Sequence, residues 1–214
     1  MNIHDIIKGS EIFKKEKFKK YQHQFEKLVR EGQSPKILFI GCSDSRVLPN
    51  LITNTGPGDL FVIRNIGNFV APYKPDEDFH STAAAIEYAV SVLEVEDIIV
   101  CGHSHCGAIG GLYTPHKLDD PSLIHVRNWL SLGESAKNFV VSHMPKEASK
   151  EDILDATEKV SAVMQLDNLM TYPVVKSRVE AGKLFLNAWH YDIKNGEITC
   201  FDSEKQEFLP LGSS

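Results

Sequence analysis

The octapeptide Val100-Cys101-Gly102-His103-Ser104-His105-Cys106-Gly107 sets the end of an apolar run against two metal-binding residue types. The run begins at Asp97-Ile98-Ile99 and has the continuous hydrophobicity of a parallel strand buried on both faces. A second such run, Ile37 to Ile40, stops in the same way at Gly41-Cys42-Ser43-Asp44-Ser45-Arg46. One imidazole and two thiols, His103, Cys106 and the distant Cys42, make three ligands suited to zinc, which takes four in a tetrahedron. Three protein ligands leave one position open, and an open position is the mark of a catalytic rather than a structural zinc site. Cys101, His105 and Cys200 are the nearest candidates for a closing fourth ligand. Cys101 ends an apolar run and points to the core, His105 alternates with His103 and faces elsewhere, and Cys200 falls in a distant C-terminal strand.

Outward from these two strand ends the chain alternates strand and helix. Leu60 to Ile63 gives a further buried strand ending at Arg64-Asn65, and Leu184 to Trp189 a fourth. Between them, 79–93 reads as a helix apolar on nearly all sides, fit for a subunit contact, and 121–181 as largely helical with Pro145 and Pro173 as punctuation. Lys194-Asn195-Gly196-Glu197 is a hairpin signal that folds Ile198 to Phe201 back antiparallel at the sheet edge. The expected fold is therefore α/β: a mostly parallel sheet of about four strands plus one antiparallel edge strand, flanked by helices. If the first and third strands are neighbours, their ends meet at the switch point of an open sheet, where ligands bind. A helix starting near Cys106-Gly107 then aims free N–H groups at the metal and favours thiolate.

The N-terminal stretch is an arm. Phe13, Phe18, Tyr21, Phe25 and Leu28 recur at helical spacing among Lys and Glu up to Gly32, with little core of their own. The boundaries that follow are a single domain over 1–214, with the arm at 1–32, the α/β core at 33–207 and a frayed tail at 208–214. In 214 residues, 42% hydrophobic, with formal charge -6, nothing points to nucleic acid or an anionic membrane as a partner. Four cysteines without a secretory leader pattern give no disulfide framework, and the reading is a reduced, cytoplasmic protein.

Cys42-Ser43-Asp44-Ser45-Arg46-Val47 and His103-Ser104-x-Cys106-Gly107 resemble the two zinc-binding signatures of the beta class of carbonic anhydrases. The likeness extends, in order, through Gln33-Ser34-Pro35, Arg64-Asn65, Ala84-Ala85-Ile86-Glu87-Tyr88-Ala89 and Gly182-Lys183-Leu184. The resemblance implies reversible hydration of carbon dioxide to bicarbonate and a proton, with one zinc per subunit held by Cys42, His103 and Cys106. It makes Asp44 the group that orients a zinc-bound hydroxide and Arg46 the group that keeps Asp44 off the metal. Gln33 then reaches the bicarbonate position across a dimer interface, Phe61, Ile66 and Tyr88 form the apolar wall of the pocket, and Gly107 joins the substrate-binding set. Arg64 and Tyr191 resemble the allosteric bacterial subtype, but Phe39 stands where that subtype has Trp, so the plant-like, non-allosteric subtype is favoured.

The family forms dimers, tetramers and larger assemblies, and a homodimer or homotetramer is expected. Two other functions remain compatible with the residues: a zinc hydrolase of a carbon dioxide analogue such as carbon disulfide, and a non-catalytic zinc- or anion-binding protein. The first is separated by comparative turnover on both substrates, the second by bound metal without hydration.

Overall fold

A computed structural model describes residues 1–114 and 118–212. Its centre is a six-stranded sheet in the order β2-β1-β3-β4-β5-β6. The strands are β1 (Ile37–Cys42), β2 (Leu60–Asn65), β3 (Asp97–His103), β4 (Phe185–Tyr191), β5 (Ile198–Asp202) and β6 (Glu207–Pro210). The first four run parallel and the last two antiparallel. Helices α1 (Ile3–Ile12), α2 (Phe18–Glu31), α3 (Pro49–Ile52), α4 (Ser81–Ser91), α5 (Gly107–Leu112), α6 (Ile124–Leu130), α7 (Glu134–His143), α8 (Lys150–Met170) and α9 (Pro173–Glu180) connect and cover them.

Burial on both faces explains the apolar runs. Leu38, Ile40, Ile98 and Val100 point into one core with Ile86, Ala89 and Val90 of α4 and Leu169 and Val175 of α8 and α9. Phe39, Ile99 and Cys101 alternate to the opposite face, where Trp189 packs against them. Cys101 is thus core, its thiol pushed up to about 12 by burial. From β1 the chain leaves toward β2, and from β3 toward β4, so the β1/β3 boundary is the switch point foreseen from the sequence.

Three details differ from the sequence expectation. The predicted tail at 208–214 contains a sixth strand, because Ser203–Gln206 turns the chain back and Phe208 pairs with Phe201. A four-residue edge strand that ends in Pro carries no readable alternation; residues 213–214 of that tail lie outside the described residues. The arm is not one regular helix: a π-helical turn, Phe13–Lys17, joins α1 to α2. There the Phe18 N–H bonds to the Phe13 carbonyl, and the five-residue step lines up Phe13 with Phe18 (6.1 Å) and Phe18 with Phe25 (5.4 Å) on one stripe. Finally, α4 is buried at Ile86, Ala89 and Val90 but exposes Tyr88, and Val92 just past its end is exposed as well, so its apolar character is shared between the core and an open face.

No helix among the described residues is long and apolar enough to cross a membrane.

Candidate metal centre

Parallel pairing brings the two motifs together. In register, Gly41 lies opposite Cys101 and Cys42 opposite Asn65, so the loops leaving β1 and β3 emerge side by side at the carboxyl edge. There the Cys42 and Cys106 sulfurs and an imidazole nitrogen of His103 lie within 4.8 Å of one another, all three residues buried. His103 Nδ1 is 3.0 Å from the Ser104 carbonyl, an acceptor, so Nδ1 carries the proton. Its Nε2 is then a bare lone pair, buried and without a hydrogen-bond partner among the described residues.

As plain side chains these three groups are poorly matched. The Cys106 thiol held against the Cys42 sulfur draws the Cys42 thiol down to about 4, against burial, with the Gly67 N–H (3.4 Å) also directed at that sulfur. The same contact and burial push Cys106 far above the ordinary thiol range, although the Ala108 and Ile109 amides of the first turn of α5 favour its thiolate. A thiolate, a thiol and an orphaned imidazole nitrogen in one buried spot are a donor set in want of a cation. Two sulfurs and one nitrogen fit tetrahedral zinc with one position to spare.

The loop after Cys42 is riveted in place. Arg46 grips Asp44 at both oxygens, Nε to Oδ1 at 2.9 Å and Nη2 to Oδ2 at 2.7 Å, and its own backbone N–H adds a third bond at 2.9 Å. These bonds, the guanidinium's first, hold the Asp44 carboxyl well below the usual carboxylate range. The same Nη2 donates to the His105 carbonyl at 3.1 Å and so ties the β1 loop to the β3 loop. His105 itself adopts the left-handed conformation (φ 57°), which turns the chain tightly between His103 and Cys106 and sends its side chain outward, as expected. On the other flank, Arg64 donates to the Cys42 carbonyl at 3.0 Å and the Asp44 carbonyl at 2.6 Å. Arg64, read from the sequence only as a mark of subtype, is here a clamp on the loop backbone.

Gly67 closes the floor under Cys42. Its φ is +77°, and a Cβ there would come within 2.8 Å of the Ala108 Cβ and 2.9 Å of the Phe69 ring. Gly67→Ala is expected to destabilise the fold by about 1–3 kcal/mol through overpacking, read as a lower urea midpoint.

Sequence reasoning missed the support beneath Cys106. Glu158, buried on α8, accepts the Cys106 N–H at Oε1 (2.8 Å), and its Oε2 lies 3.4 Å from Nε2 of the buried His190 on β4. The available signal was the inward stripe of α8, where Thr157, Glu158, Ser161 and Gln165 occupy positions that helical periodicity reserves for apolar residues. Asp155 completes a group of possible ligand atoms with these two, but its carboxylate is paired with Lys159 at 2.8 Å. Glu158→Leu leaves a buried N–H without an acceptor and is expected to cost about 1–3 kcal/mol, whereas Glu158→Gln keeps the acceptor and most of the stability. Thermal unfolding of the two variants checks the difference.

The predicted pocket residues divide. Ile66 and Gly107 lie at the site: Ile66 lines, with Ser43, Asn65 and Trp129, a cavity of about 910 Å³, and Gly107 is the first residue of α5. Phe61 and Tyr88 stack on each other at 5.9 Å. Phe61 stands opposite Leu38, however, four residues back from Cys42, or about 13 Å along the strand. Gln33 is exposed at the foot of the arm. Within one chain, therefore, Gln33, Phe61 and Tyr88 are not brought to the cysteine-histidine cluster.

Comparison with known proteins agrees with this geometry. A family profile described as "Carbonic anhydrase" matches residues 37–198. A carbonic anhydrase of Synechocystis is 42% identical over 95% of this chain and 73% of its own length, and one of Pseudomonas aeruginosa is 42% identical over 97% and 91%. The solved structure of the beta-carbonic anhydrase CcaA superposes with a TM-score of 0.90 at 41% identity, covering 97% of this chain and 91% of that one. One of two tetrameric beta-carbonic anhydrases from Sordaria macrospora gives 0.80 at 28%, covering 98% and 96%. With its fold, its cysteine-histidine cluster and these relatives in agreement, the chain belongs to the beta class of the carbonic anhydrase family.

Proposed function

We propose that the protein catalyses the reversible hydration of carbon dioxide to bicarbonate and a proton at a zinc held by Cys42, His103 and Cys106. The observation that carries this reading is the His103 Nε2, buried beside two sulfurs and without a hydrogen-bond partner among the described residues, next to an Asp44 carboxylate held at both oxygens by Arg46. Zinc held there would supply Lewis acidity, the effect that in carbonic anhydrases generally lowers the pKa of water from 15.7 to roughly 7.

The protein's own groups do the rest. Asp44 accepts the O–H of the attacking oxygen, which turns a lone pair toward the carbon of carbon dioxide. Arg46 holds that carboxylate away from the metal position, and Arg64 fixes the backbone on which both residues ride. Ile66 offers an apolar surface on which carbon dioxide can rest without competing hydrogen bonds. The new C–O bond forms as one carbon–oxygen double bond opens, and the water's second proton leaves for solvent.

A second copy of the chain completes the pocket in this reading. Phe79 and Ile66 are exposed, as are Tyr88 and the arm residues Ile3, Ile6, Ile7, Ile12 and Phe13, an apolar surface that asks for a partner. Gln33, Phe61 and Tyr88 then serve the pocket of the partner subunit, which accounts for their distance from their own cluster. The assembly is a homodimer or a homotetramer, and sedimentation is the direct check.

Stopped-flow hydration with a pH indicator, on protein loaded with one zinc per chain, tests the activity. Rapid turnover of carbon dioxide with none on carbon disulfide is expected. A fully loaded protein without hydration activity overturns the reading.

A further inference from the structure

Each bicarbonate formed releases one proton, and turnover cannot outrun its removal. The groups at the cluster are not placed to carry it. Both oxygens of Asp44 are occupied by Arg46, and the guanidinium does not titrate in the working range. An imidazole on the wall of the cavity that reaches Ser43 and Asn65, the chain and strand neighbours of Cys42, is needed, and two line it: His80 and His125.

His80 is tied through its helix to the strand end beside Cys42. Asn65, the strand neighbour of Cys42, bonds through Nδ2 to Thr82 Oγ1 at 3.5 Å, and Thr82 lies in the first turn of α4, whose N-cap is His80. The His80 side chain is 42% exposed, so it meets bulk water while facing the cavity shared with Ser43 and Asn65. Its Nε2 lies 2.7 Å from Asp76 Oδ1, and the other oxygen of Asp76 is 2.6 Å from Lys74 Nζ. An ionised carboxylate only accepts, so Nε2 must carry a proton and Nδ1 is left as the basic nitrogen.

We propose that His80, anchored by Asp76, is the carrier that takes the hydration proton at Nδ1 from water in the cavity and passes it to buffer. This rests on the carbon dioxide hydration reading. When Nδ1 is protonated the imidazolium remains bonded to Asp76, and loss of that proton to buffer restores the starting tautomer. Asp76 does not compete for the proton, because Lys74, then His80, hold its carboxyl at about 2. The other charged groups lining the two cavities around the ring are Lys74, Glu77, Asp78 and Glu87, with His125 on the larger cavity from α6.

The test is His80→Ala, with Asp76→Asn and His125→Ala beside it, each checked for zinc content and unfolding midpoint. In dilute buffer His80→Ala is expected to lower kcat by about tenfold or more, to leave kcat/KM within about twofold, and to regain kcat when imidazole buffer is added. Asp76→Asn, which keeps the ring but frees it, is expected to show a smaller loss of the same kind. Independently of turnover, nitrogen NMR of wild-type His80 is expected to show the Nε2–H tautomer, and Asp76→Asn to lose that preference. An unchanged kcat, equal falls in kcat and kcat/KM, the effect appearing in His125→Ala instead, or an Nδ1–H tautomer each overturns the relay while leaving hydration intact. A zinc-loaded wild type that does not hydrate carbon dioxide overturns both readings.

Discussion

His103→Ala and Cys106→Ser proteins are expected to emerge from purification with little or no zinc and to hydrate carbon dioxide no faster than buffer. The size of the effect follows from proton chemistry. Returning a water from a pKa of roughly 7 to 15.7 lowers the hydroxide available at neutral pH by about eight powers of ten, so no partial activity should survive. Folding should survive, because α5 and the ends of β1 and β3 are also held by Arg46, Arg64 and Glu158. Metal analysis and circular dichroism on the same sample separate the two effects. A His103→Ala protein that keeps stoichiometric zinc and native turnover would remove His103 from the ligand set.

The second large effect is expected from Arg46→Ala. In the intact protein the guanidinium fills both oxygens of Asp44; without it, a free carboxylate lies beside a cationic site. Hydration should fall on the order of 10²-fold or more, the scale of losing a positioned proton-handling group. Zinc content should remain unchanged, which distinguishes this variant from the ligand substitutions. Asp44→Asn should lose activity to a similar degree for a different reason, since a neutral amide accepts more weakly, presents an NH2 donor on its other arm and no longer orients the O–H.

The pH behaviour sharpens the point. Asp44's folded pKa is depressed, so its pairing contributes stability that is fully present above the ordinary carboxylate range and is lost only as pH falls through the still lower folded value. Across neutral pH the pair does not titrate. Any rise of activity between mildly acidic and alkaline pH must therefore come from another group, and a titration of the Asp44 signal near neutrality, followed by carbon-13 NMR, would refute the lock.

The cysteine-histidine cluster was legible because Cys42 and His103 each close a strand of otherwise apolar residues, where packing leaves no use for a polar side chain, and Cys106 follows three residues on. Cys101 was legible as core for the converse reason. The Glu158–His190 support was hidden: Glu158 sits among Thr, Lys and Val on a long helix, and only the position of α8 against β3 shows which of its faces is inside. β6 escaped notice because two exposed ends and a proline leave four residues without a pattern. Phe61 and Tyr88 mark the limit of reading one chain, since the resemblance sets Gln33 across a dimer interface but does not say which subunit's pocket the expected Phe61 and Tyr88 wall serves.

The central place of β1 has a consequence for how the molecule assembles. β2 pairs along one side of β1 after a short excursion, whereas β3 must return to the other side across a much longer separation, and the ligands come from both. Loop closure of that length is slow, and contacts of high sequence separation form late. Until β3 docks, therefore, Cys42 stays apart from the local His103–Cys106 pair, and on the zinc reading full three-ligand binding marks the completion of the sheet rather than guiding its first steps.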